Sequence, residues 1–338
     1  MLRAPSEHGG ADDLARFRRL TTATIASTVS LIVIGGIVRV SDSGLGCGAA
    51  HSGTHGWPLC GGRLVPFLDT SMIIEFSHRV AASVVVVLIA GMVLLSLRRL
   101  RHHTWLVRGS IAAAVLVLAQ AALGGLTVEH GLAEVLVAAH LGAAMLLLGL
   151  LLVLRRATDP QEAWEPADRS RALRLATAAA TALVLVTIVA GGVVAGTERE
   201  GTGTDVGHGA HLACGTQFPT CLDGVLPFGA GRLVDIQLAH RLAVLLAAIA
   251  VLTMSAIALR RRVPGRAYRL APVLLGCQIL LGAINVWAGE HATLVVAHLA
   301  LATTLWATVV YAGTSLLTVP APARDRVRGE ADVGAVTV

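Results

Sequence analysis

Four histidines, His78, His140, His240 and His298, stand inside long apolar stretches of a 338-residue chain. An ionisable side chain in such a stretch is costly and mostly faces a bundle interior or a bound group. The four occupy duplicated positions. Val137-Ala-Ala-His140-Leu matches Val295-Val-Ala-His298-Leu at an offset of 158, and Ser77-His78-Arg79-Val80-Ala81 matches Ala239-His240-Arg241-Leu242-Ala243 at 162. One such histidine reads as a satisfied interior residue, but four in register argue for a ligand set. Two imidazoles from different helices at one depth put one ligand on each face of a haem iron. Imidazole also suits zinc, copper and non-haem iron, but no third or fourth protein ligand repeats at that depth. Two haem sites are therefore expected, with His78 and His140 as the metal ligands of one and His240 and His298 of the other.

The two sites differ at one position. Glu75 lies three residues before His78, on the same helix face, while Gln237 occupies that place before His240. A carboxylate exchanges protons and an amide does not. The first half thus keeps an acid–base group beside its metal, and the second half is expected to carry electrons or hold structure. Arg79 and Arg241 follow their histidines and read either as interface anchors or as charge-assisted partners of haem propionates. Glu129-His130 and Glu290-His291 read as solvated turn residues, as do most of His51, His55, His208 and His211; His102 and His103 have no partner in view.

Cysteines fall as Cys47 and Cys60, Cys214 and Cys221, and a lone Cys277. One pair in each of two corresponding outward loops fits two local disulfides, worth roughly 2–3 kcal/mol each. A redox or metal-binding thiol pair is the alternative, although neither spacing is C-x-x-C. Cys277 reads as a small core residue.

The elements that must hold these residues are membrane helices. Hydrophobic residues make up 55% of the chain and charged ones 14%, with a mean hydropathy of +0.72. A soluble protein carries about 25% charge, so disorder, nucleic-acid binding and a secreted disulfide scaffold are excluded. Continuous apolar runs long enough to cross a bilayer lie near 21–40, 71–97, 109–128, 133–154, 175–197, 234–259, 270–289 and 292–318. No cleavable signal peptide is evident. All 27 basic residues are arginine. Twenty-one of them lie in the two tails and in the connections after the second, fourth and sixth runs, which places both termini in the cytoplasm and loops 41–70 and 198–233 outside. The +6 net charge thus reports orientation.

The second four runs repeat the first four, and Gln120-Ala-Ala-Leu-Gly124 against Gln278-Ile-Leu-Leu-Gly282 and Gly35-Gly36 against Gly191-Gly192 extend the duplication. The expected fold is all-α: eight transmembrane helices as two four-helix bundles related by a pseudo-twofold axis along the membrane normal. Its parts are a tail 1–20, a catalytic bundle 21–154, a linker 155–174, a second bundle 175–318 and a tail 319–338.

Together, the Gly35-Gly36-Ile-Val-Arg39 end of the first span, Gly46-Cys47, Trp57-Pro58-Leu59-Cys60 and Glu75-Phe-Ser-His78-Arg79 make the chain resemble the haem A synthase family over residues 20–318. The resemblance implies an oxidoreductase of the bacterial cell membrane that converts a methyl group of haem O to the formyl group of haem A by successive hydroxylations. It further implies haem b between His240 and His298, the substrate haem O between His78 and His140, Glu75 in the catalytic pocket, and haem O synthase as a partner beside membrane lipid. The competing classes are a di-haem electron-transfer protein, which would not need Glu75 in one half only, and a duplicated transporter. The transporter would break its helices at mid-membrane, whereas only Pro272 interrupts a span here.

Overall fold

The computed structural model describes residues 7–65, 69–159, 170–197 and 209–317. Among them are eight α-helices long and apolar enough to cross a membrane, and no β-strand. They are α1 (Glu7–Val40), α2 (Thr70–Arg99), α3 (Thr104–Glu129), α4 (Glu134–Arg156), α5 (Arg171–Gly196), α6 (Arg232–Arg260), α7 (Ala267–Trp287) and α8 (Ala292–Thr314). The chain is a multi-pass membrane protein. Inside lipid the backbone must satisfy its own hydrogen bonds, which only a helix achieves within one segment. Hydroxyls in the spans obey the same rule: Thr21, Thr24 and Thr28 each donate to the carbonyl one turn back at 2.8 Å.

Start signals are local. Asp69 accepts from the Ser71 amide at 2.9 Å and caps α2, and Ser170 accepts from Leu173 at 3.1 Å and caps α5. Pro272 lies inside α7 without ending it. Helix α1 begins at Glu7, so helical structure extends into the expected tail 1–20. Phe17 is fully buried there against the cluster of Val85, Met92, Leu100 and Leu106, while Arg16, Arg18 and Arg19 stay exposed. At the expected linker, α4 runs to Arg156 and α5 starts at Arg171; residues 160–169 and the tail 319–338 lie outside the described residues.

Each of α1–α4 packs on two others of that set, α1 on α2 and α4, and α3 on α2 and α4. Helices α5–α8 repeat the pattern. The two sets meet along α4–α5, α4–α8 and α1–α8. Polar ties cross that seam, and at Trp306 the tie satisfies a buried donor. The Trp306 indole donates to the Met145 carbonyl at 2.8 Å, Arg39 donates to the Ala195 carbonyl at 2.8 and 3.1 Å, and Arg232 pairs with Glu134.

Candidate functional site

Each histidine sits on an even-numbered helix, facing a glycine of the helix before it. A β-carbon at Gly35 would lie 3.2 Å from the His78 ring, at Gly124 3.4 Å from His140, at Gly191 3.1 Å from His240, and at Gly282 3.0 Å from His298. Four imidazoles thus rest against bare backbone, and at Gly35, Gly191 and Gly282 even a methyl group would crowd the ring. Nδ1 of His78, His140 and His298 is buried without a hydrogen-bond partner, and the His240 ring meets the Thr187 backbone. His140 lies within electrostatic range of His78, and His298 of His240. Buried polar atoms lacking partners are uncommon in folded proteins, and their recurrence here at glycine-cradled rings fits a set of metal ligands. The donor set, two imidazoles per site and no group of three or more metal-ligating side chains among the described residues, suits an iron already held in a porphyrin.

Glu75 is buried on α2, one turn before Arg79. Its Oε2 accepts from the Cys47 amide at 2.7 Å, and its Oε1 pairs with the Arg79 guanidinium. Arg79 also donates to the carbonyls of Leu59 at 2.9 Å and Gly56 at 2.8 Å. One guanidinium therefore holds both the carboxylate and the outward loop. Cys47 and Cys60 are disulfide-bonded, and the Gly61 amide donates to the Cys47 carbonyl at 2.7 Å, closing the loop over α2. The loop's far side reaches α3, where the Trp57 ring occupies the space a side chain at Gly125 would need, 2.8 Å from its β-carbon position. The loop is thus a lid fastened to α2, which carries His78, and to α3, whose Gly124 faces His140.

The second half repeats the lid without the carboxylate. Cys214 and Cys221 are bonded, and Arg241 donates to the carbonyls of Thr220 and Gln217, both at 2.9 Å. Gln237 is buried at the place of Glu75, with its Oε1 unpartnered. Phe218 stands where the first lid has Trp57 and meets Trp287 edge-on at 6.2 Å between centroids.

The lid cysteines form the two expected disulfides, Cys47–Cys60 and Cys214–Cys221. Other expectations change. Glu129 and Glu290 are not simply solvated: Glu129 accepts from the Gly53 amide at 3.1 Å and lies 3.8 Å from His51, and Glu290 pairs with His211. Both contacts pin a lid to the helix end below it. His208 lies outside the described residues. Cys277 is exposed on α7 rather than in the core, because a lipid-facing surface is as apolar as an interior. Sequence reasoning missed the lid clamps of Arg79 and Arg241 and the cradle role of Gly124 and Gly282. The last two were visible as the final residue of the repeated Gln120-to-Gly124 and Gln278-to-Gly282 motifs.

Fold and site together define a class, a multi-helix membrane protein with two glycine-cradled histidine pairs, each in a half that carries a disulfide-closed loop. The COX15-CtaA family model, described as cytochrome oxidase assembly protein, matches residues 67–310, and the chain belongs to that family. It is similar to proteins named heme A synthase from several bacteria. Identity is 30% with that of Bacillus pumilus, covering 68% of this chain and 72% of the relative. With that of Shouchella clausii it is 28%, over 70% and 74%. With that of Lysinibacillus sphaericus it is 26%, over 87% and 94%.

Proposed function

We propose that this chain is a haem A synthase, an oxidoreductase that turns a methyl group of haem O into the formyl group of haem A by successive hydroxylations. Family membership and the relatives' name support the reaction. The single observation that carries the division of labour is the contrast between Glu75, held at both oxygens beneath the first lid, and Gln237, whose Oε1 is buried without a partner beneath the second.

In this reading His78 and His140 hold the substrate haem O and His240 and His298 hold a resident haem b, the two halves forming a pseudo-twofold pair. A haem bound in the second site supplies one-electron chemistry. The protein's own groups do the rest. His78 and His140 would hold the substrate ring on the half that carries Glu75, and fixing a substrate relative to an acid–base group gives a large positional gain. Glu75 holds or moves a proton at Oε1 or Oε2, its orientation set by the Cys47 amide and Arg79. The lid, tied to α2 and α3, would shield the site from water. Arg79 and Arg241 bind lid carbonyls and also set a cation beside each histidine, which suits a propionate. The expected setting is the bacterial plasma membrane with both termini cytoplasmic, downstream of a haem O synthase.

The test is to express the protein with haem O supplied, then extract and separate the pigments. Haem A in the extract supports the synthase. Haem b alone, with haem O unconverted, overturns it and favours a di-haem electron carrier.

A further inference from the structure

Each half carries a glycine doublet near the outer end of its first helix, and the two glycines of a doublet face different halves of the molecule. Gly35 takes the His78 ring of its own half, while its neighbour Gly36 faces α8 of the other half, where a β-carbon would lie 2.8 Å from Leu299 Cδ2. Gly191 takes the His240 ring, while Gly192 faces α4, where a β-carbon would lie 3.1 Å from the Ala138 Cα and 3.3 Å from Leu141 Cδ2. Leu299 directly follows His298, and Leu141 directly follows His140. Two symmetrical chains of contact result. One runs from His78 through Gly35-Gly36 to Leu299 and His298, the other from His240 through Gly191-Gly192 to Leu141 and His140.

We infer that Gly36 and Gly192 are positioning residues that act across the seam: each seats the histidine-bearing helix of the opposite half, so that a ligand of one haem site is set by the backbone of the other. The inference rests on the two-haem reading above. The physics is that of close helix approach. Without a β-carbon two backbones, or a backbone and a leucine, come into direct contact, and a packed contact transmits displacement because it has no slack. Gly142, whose β-carbon would lie 2.9 Å from Val189, and Gly196, 2.6 Å from the Glu134 Cα, also face the seam, but only the doublets pair a histidine cradle with a contact to the opposite half. The seam holds another glycine far from the histidines, Gly149, whose β-carbon would lie 3.3 Å from the Trp306 ring. That position supplies the control.

The test uses the full-length, haem-loaded protein and reads the ferric haem by low-temperature electron paramagnetic resonance. The largest g value of a histidine-ligated haem depends on how its two imidazoles are oriented. The signal of the second site is identified by its loss in His240→Met. Gly36→Ala and then Gly36→Leu, both in the first half, are expected to shift that second-site signal progressively. Adding Leu299→Ala to Gly36→Leu should return it toward the parent value, which separates seating from misfolding. Gly149→Ala should leave it in place. An unmoved second-site signal in haem-loaded Gly36→Leu overturns the inference, and so does an equal shift in Gly149→Ala, which would mean general loosening of the seam. If the unaltered protein gives no histidine-ligated signal, the two-haem reading itself falls, a different result from either.

Discussion

At the residue scale, Glu75 and its counterpart Gln237 are the sharpest natural comparison in the molecule. Glu75 is buried, paired with Arg79 and bonded to the Cys47 amide. Glu75→Gln keeps the shape and removes the exchangeable proton, making the first site resemble the second. We expect haem content per protein to stay at the parent level and formyl product to fall at least about 100-fold, the scale of a lost acid–base group. Pigment extraction measures both, and undiminished haem A would refute the catalytic role. The cradles make a second prediction. Gly282→Val presses a branched side chain on His298, whose ring already lies 3.0 Å from the β-carbon position. The variant should lose the haem of the second site while the first still binds, read as about half the parent haem content, as the two-site reading requires; full retention would count against the cradle. The histidines were legible in the sequence because an imidazole in an apolar run is rare and these four repeat. Cys277 was not, since in an all-apolar helix nothing distinguishes a residue that meets lipid from one that meets protein.

At the scale of the element, the outer lids deserve the same paired treatment. Both are closed by a disulfide and clamped by an arginine one residue after the histidine, through carbonyls of Gly56 and Leu59 or of Gln217 and Thr220. Only the first clamp also holds a carboxylate. Arg79→Met and Arg241→Met should each loosen a lid, at a cost of about 1.5–3 kcal/mol for hydrogen bonds from a charged donor. Hydrogen exchange at the lid amides would report this in both variants. Formyl product should fall sharply in Arg79→Met and far less in Arg241→Met; equal losses would show that the lids act only as structure. Intact-mass measurement with and without reductant should reveal both disulfides, and four unlinked lid thiols in the native protein would contradict them. Spacing and compartment suggested the cysteine pairs, but the clamps could not be read in advance. Arg79 meets carbonyls some twenty residues away along a loop whose path no local pattern encodes.

At the scale of the molecule, the arginine distribution and the seam bear on the same question, which side each part faces. The helices were legible from length and hydropathy alone. The contacts between the two sets of four were not, because in lipid helices associate by small residues and isolated polar ties rather than by a hydrophobic stripe. Those ties include Arg39 on the Ala195 carbonyl and Arg232 paired with Glu134, both at the helix ends opposite the arginine-rich connections. The disulfide lids lie at that same end, on the arginine-poor side. In the proposed orientation, with lids outside and both termini in the cytoplasm, the disulfides would face an oxidising compartment and the arginines would obey the positive-inside rule. Single cysteines placed at exposed Arg101 and Arg262, in a Cys277→Ala background, test it. A membrane-impermeant thiol reagent should leave both unlabelled in intact cells and label both once the cells are opened. Labelling of either before opening would reverse the orientation and, with it, the side on which the histidine pairs lie.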